Sequence, residues 1–135
     1  MPMIDPTEMG LDEAQETYAV AGGEEYKLRI IAVNEGTDKN DLNYLMPQLE
    51  IVGEPYSKDF SHFLHLPNKE KMDEKKLNRV RFSYKSFCEC FDIDMSRPHD
   101  PKDEWPGHEG FAILGSRESD EYGEQNFVKK LVTPR

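Results

Sequence analysis

One stretch constrains this chain more than any other. Between Asp73 and Phe91, Leu77, Val80, Tyr84, Phe87, Cys88 and Phe91 recur at i, i+3, i+4 spacing. That spacing predicts a helix capped by Asp73, with Pro67 closing the segment before it. Nothing else in the sequence repeats at the helical period. On both sides the apolar residues alternate in short runs between glycines and prolines, so the helix stands alone among strands.

The runs are readable one by one. Thr17–Val20, a break at Gly22-Gly23, and the β-formers of Glu25–Asn34 read as one bent or bulged strand. Asn43–Val52 alternates, with Leu45, Leu49 and Ile51 on one face and Tyr44, Gln48 and Glu50 on the other. Pro47 marks an edge or bulge. After the Gly53–Pro55 turn, Ser57–Leu66 alternates again, with Phe60, His62, Leu64 and Leu66 opposite Phe63 and His65. These two runs predict a hairpin. Beyond the helix, residues 92–107 read as a loop with Pro98, Pro101 and Pro106. Glu109–Leu114 and Tyr122–Val132 are the last strands, the latter setting Tyr122, Asn126 and Val128 against Phe127 and Leu131.

The fold class is therefore mainly β with one helix, in the order β-β-β-α-β-β. That is the element order of a five-stranded OB-fold-like barrel, although other α+β folds share it. The predicted organisation is an acidic flexible N-terminal arm over 1–16, an OB-fold-like domain over 17–132, and a short C-terminal end at 133–135. A chain of 135 residues suits one such domain.

Charge is the next constraint. The formal net charge of -10 speaks against nucleic acid if only the total is read. Its distribution says something different. Residues 1–25 carry -7, 26–91 carry +1, 92–125 carry -7 and 126–135 carry +3. The acidity sits in an arm and one later segment, and the middle of the chain is mixed. No long apolar run exists to span a membrane, and the acidic N-terminus lacks the pattern of a secretory signal. Two cysteines make no disulfide scaffold, which points to a reducing cytoplasm.

Several local patterns together resemble a known family. They are the glycines before Tyr26, Thr37-Asp38-Lys39-Asn40, the second strand ending at Gly53, and the Phe87–Phe91 helix end. Gly107-His108-Glu109-Gly110-Phe111 and the closing Glu121–Val128 complete the set. Over residues 17–132 the chain resembles the small phage-encoded single-stranded DNA-binding-like proteins of recombination and replication gene clusters. The resemblance implies an OB-fold, binding of single-stranded DNA, and phage or host replication and recombination proteins as partners. Many such proteins end in an acidic tail, whereas this chain ends in Lys129-Lys130-Leu131-Val132-Thr133-Pro134-Arg135 and carries its acids at the other end.

An OB-fold holds single strands by stacking bases on aromatic rings and meeting phosphates with Lys or Arg. Tyr44, Phe63 and Phe127 are the stacking candidates, with Tyr122 behind them. Lys27, Arg29, Lys39 and Lys58 are the phosphate candidates, with Arg117 and Lys129 as further ones. Each aromatic has an alternative place in the core. Lys75, Lys76, Arg79, Arg81 and Lys85 form a denser basic run on the helix; such a run is ordinarily a solvated face, and otherwise a second DNA contact or a dock for the acidic arm.

Metal chemistry has little support. Cys88-x-Cys90 lacks knuckle spacing, Cys90 falls off the apolar stripe, and His62 and His65 have opposite parity. The acids between Asp92 and Glu104 have no EF-hand spacing, and Trp105 among them reads as an anchor to the core. No phosphate loop or nucleophile motif is present. The expected function is sequence-tolerant binding of single-stranded DNA, without enzymatic activity, cofactor or metal, and with homo-oligomerisation through strand edges. The alternative is a protein-interaction module on the same fold, its groove blocked by Glu50 and Asp59.

Overall fold

The computed structural model describes residues 3–133. Its ordered strands are β1 (Glu25–Thr37), β2 (Asn43–Ile51), β3 (Phe60–Ser61), β4 (Leu64–His65), β5 (Glu109–Ser119) and β6 (Gly123–Val132). The helices are α1 (Glu74–Cys90) and the single turn α2 (Pro101–Glu104). The strands form one antiparallel open sheet in the order β3-β2-β1-β5-β6, with β4 also pairing β2. The fold is mainly β with one main helix, as the period analysis predicts.

The sheet departs from the expected five-stranded barrel in its third strand. The predicted Ser57–Leu66 run appears as two fragments that share a single register against β2, Leu49 with Phe60 and Tyr44 with His65. Pro47 explains the gap. Its carbonyl accepts the His62 N–H (2.9 Å), but proline has no N–H to return. Among the described residues no ladder joins β3 to β6, although the two lie against each other.

The Thr17–Val20 run does not continue into β1 as predicted. It crosses instead to the space between β3 and β6. The Tyr18 N–H donates to the Tyr56 carbonyl (3.2 Å), and the Lys58 N–H donates to the Tyr18 carbonyl (2.8 Å). Val20 is held by Asn126, which is 5% exposed. Asn126 Oδ1 accepts the Val20 N–H, and Asn126 Nδ2 donates to the Val20 carbonyl, each at 2.9 Å.

Two bulges set the faces of the sheet. One, at Ile31, bends β1, so that its first half pairs β5 while its second half continues along β2. The other places Lys129 as an extra residue on β6 and reverses the alternation after it. Leu131 thus joins Asn126 and Val128 on the inner face, and the predicted pairing of Leu131 with Phe127 is corrected. Inside, Leu28, Ile30, Leu49, Leu64 and Leu114 meet Phe87, Phe91 and Trp105, all essentially without exposure. Trp105 is the predicted loop anchor, lying 5.4 Å from the Phe87 ring. The loop around it is not wholly irregular, because Asp100 caps α2 through the Lys102 N–H (3.0 Å).

α1 is capped by Asp73, whose carboxylate accepts the Lys76 N–H at 2.8 Å. In its last turn Phe87, Cys88 and Cys90 are buried and Glu89 alone faces solvent. Cys90, predicted to lie off the apolar stripe, is buried, and its thiol donates to the Phe111 carbonyl (3.2 Å). Burial pushes the Cys88 thiol up to about 11 and raises that of Cys90, so neither is primed as a thiolate. No helix among the described residues is long and apolar enough to cross a membrane.

Candidate nucleic-acid interface

The outer face of β2 carries Tyr44, and the gap between β3 and β4 carries Phe63 beside it. The third strand is broken at that point, yet its register is kept, so Phe63 still points outward like Tyr44. The two rings stack with centroids 4.2 Å apart and planes 29° from parallel. Phe63 is 46% exposed, so the pair presents one aromatic face to solvent. His65 meets Phe63 edge-on at 4.9 Å.

Loop 38–42 is tied to this platform through Asp38. Its carboxylate accepts the backbone N–H groups of Asn40 (2.9 Å) and Leu42 (3.0 Å) and lies 3.0 Å from His65 Nε2. The Leu42 N–H first, and then His65, hold the Asp38 carboxyl below its usual range. Lys39 projects from the same loop, exposed and without a carboxylate partner among the described residues.

On the other side of Phe63 a shallow depression is lined by His65, Lys76, Arg79, Val80 and Ser83. Lys76 and Arg79 lie one turn apart on α1 and make no ion pair among the described residues. Lys76 and Arg79 therefore stand beside Phe63, and Lys39 belongs to the loop that Asp38 ties to His65.

The remaining sequence candidates lie elsewhere. Arg29 donates to Glu109 (2.7 Å) and to Glu50 (2.9 Å), and Lys27 pairs with Glu109 (3.3 Å). Arg29, and then Lys27, hold the Glu109 carboxyl below its usual range. This network sits across β2 at Glu50, six residues from Tyr44 and so about 20 Å away by strand rise. Lys58 Nζ donates to the carbonyls of Tyr122 (3.1 Å) and Glu124 (3.0 Å) and clamps the β5–β6 turn. Phe127 is half-buried on the outer face of β6, where its ring covers Gly115 and the Arg117 guanidinium lies 5.2 Å above it. The structure thus brings together Tyr44 and Phe63, keeps Lys39 on the loop tied to His65, and leaves Phe127, Lys27, Arg29 and Lys58 outside that cluster.

Lys76 and Arg79 belong to the basic helix run whose alternative reading from sequence is a second DNA contact, and His65 is the residue that the sequence reading does not put forward. The i, i+3 spacing of Lys76 and Arg79 puts them on one helix face, and that signal is readable. What faces them is set by how the chain returns after β4, which no local pattern carries. Among the described residues, no group of three or more His, Cys, Asp or Glu is placed to hold a metal ion. Comparison with known proteins leaves the geometry to stand by itself: no family model matches the chain, and no curated protein matches it.

Proposed function

We propose that this chain binds single-stranded DNA with little sequence preference and without catalysis. It would act as a phage-type single-stranded DNA-binding-like protein that protects or organises DNA during replication and recombination in the host cytoplasm. The observation that carries the proposal is the Tyr44–Phe63 stack, open to solvent at Phe63, with Lys76 and Arg79 beside it and Lys39 on the adjoining loop, none of the three in an ion pair among the described residues. Every base has a π-face, so such a platform accepts any sequence, at about 1–3 kcal/mol per stacked base. Lys76 and Arg79 would meet phosphates beside Phe63, and Lys39 from the adjoining loop.

We read the scaffold as an OB-fold-like barrel left open at one seam. Support comes from the bulged β1 that pairs on both sides, the helix between the β3–β4 segment and β5, and the approach of β3 to β6. In OB-folds the ligand lies across the second and third strands, where Tyr44 and Phe63 stand.

Fluorescence anisotropy of a labelled oligothymidine at low and moderate salt tests the reading. Binding should weaken with salt and fall on Phe63→Ala by the loss of one stacked base. Absence of binding at low salt overturns it, and so does binding indifferent to both Tyr44→Ala and Phe63→Ala. Degradation of the oligonucleotide with magnesium would assign a nuclease instead. The second reading is a protein-interaction module; the acids expected to block the groove, Glu50 and Asp59, lie at the far end of β2 from Tyr44, where burial and then Glu50 raise the Asp59 carboxyl. Folded protein that ignores oligothymidine is the result that would select it.

A further inference from the structure

A second groove runs between α1 and β6, meeting the depression beside Phe63 at Ser83. Phe82, Val128 and Leu131 give it an apolar lining, and Lys129 and Lys130 stand along it, with no carboxylate among the lining residues. Phe82 is 69% exposed, a large apolar surface for a helix that otherwise turns its rings inward. The Lys129 bulge places two successive lysines beside this surface.

The N-terminal arm has the opposite character. Residues 3–16 form two tight turns. In the first, Asp5 accepts the Thr7 N–H (3.0 Å); the second follows Gly10, whose φ of 65° suits glycine. The turns leave Met3, Ile4, Met9 and Leu11 exposed, interleaved with Asp5, Glu8, Asp12, Glu13 and Glu16 and with no base. Four exposed apolar side chains on an acidic segment match a groove lined by Phe82, Val128 and Leu131 and edged by lysines.

We propose that the arm of one copy lies in the α1–β6 groove of a second copy, and reciprocally, giving a closed dimer. The direction of the chain argues for exchange between copies. Going back from Tyr18, the arm leaves the sheet beside Tyr56, and Lys58 next to that point reaches the 122–124 end of β6. The groove lies at the other end of β6, at residues 128–131. The arm thus departs away from its own groove. Each copy offers one arm and one groove, so a two-fold pair satisfies both.

Sedimentation equilibrium on the full chain tests this without reference to DNA. At low salt the mass should be twice that of the chain, falling towards one copy at high salt as the acid–lysine attraction is screened. Leu11→Asp and Phe82→Asp, both at exposed positions, should each weaken association by at least about tenfold. A mixture of the two variants keeps one intact arm and one intact groove, so it should associate where neither variant does alone. Circular dichroism checks that both fold. A wild-type chain that stays monomeric overturns the proposal, including the case in which the arm covers its own groove. A dimer indifferent to both substitutions also overturns it. If Phe82→Asp lowers oligothymidine affinity while Leu11→Asp changes nothing, the groove is a nucleic-acid track and the proposal falls.

Discussion

Gly36 decides where the Tyr44 ring rests. It pairs with Tyr44 across β1 and β2, and a Cβ built there would lie 2.7 Å from Tyr44 Cζ. The atom it would strike is the far end of a side chain, so the ring can yield where backbone could not. Gly36→Ala should therefore leave the denaturation midpoint almost unchanged while pushing Tyr44 off Phe63, seen as altered near-UV circular dichroism and several-fold weaker oligothymidine binding. A second residue-scale expectation separates cations by their partners. Lys27 and Arg29 are already neutralised by Glu109 and Glu50, whereas Lys76 and Arg79 are not. Lys76→Ala or Arg79→Ala should lower the salt slope of binding by about 0.7 each, and Lys27→Ala should leave it unchanged.

At the scale of elements, β3–β4 meets α1 through His62, whose ring is parallel to Phe87 at 5.5 Å. Burial lowers the His62 pKa to about 4. Its ordinary value is about 6.5, so the unfolded chain takes up this proton first. The associated stability, at most about 3 kcal/mol, is present above pH 6.5 and is lost as pH falls from about 6.5 towards 4. Glu109 and Asp38 have lowered values and lose their contributions only at more acidic pH. Urea midpoints measured across that window should fall with pH for the wild type and flatten for His62→Phe. Asn126 is the comparable device on β6. Asn126→Ala leaves the Val20 N–H and carbonyl without partners, at a cost of about 1–3 kcal/mol, and hydrogen exchange at Val20 should rise with it.

The same elements show what the sequence discloses and what it withholds. α1 and the faces of β2 are legible because their periods are local and because Asp73 and the Leu45–Leu49–Ile51 alternation need no distant partner. The reversal at Leu131 depends on Lys129 bulging against β5, and the split of the third strand depends on Pro47 of another strand facing His62. Cys90 looks peripheral by helical angle, but the strand carrying Gly110 closes over it; a Cβ at Gly110 would lie 2.6 Å from the Cys90 carbonyl oxygen. The stacking pair Tyr44 and Phe63 is legible by parity. The neutralisation of Arg29 by Glu109 is not, since 80 residues of chain separate them.

For the whole molecule, the proposed binding of a polyanion has to be reconciled with a net charge of -10. The ion pairs contribute to this, because acids on the sheet face are engaged with Lys27 and Arg29, while Lys39, Lys76 and Arg79 make no ion pair among the described residues. Three phosphate contacts on a single strand release about two counterions, so log affinity should fall against log salt with a slope near -2. The arm acts over longer range. Its five acids between residues 3 and 16 raise the negative field that an approaching strand must cross, and that field decays within about 10 Å at 0.1 M salt. Neutralising them together as Asp5→Asn, Glu8→Gln, Asp12→Asn, Glu13→Gln and Glu16→Gln should therefore tighten oligothymidine binding at low salt, chiefly through a faster association rate, and the gain should vanish at high salt. Stopped-flow fluorescence separates the rates. If the gain appears in the dissociation rate and persists in salt, the acids occupy the platform itself and their effect is contact rather than field.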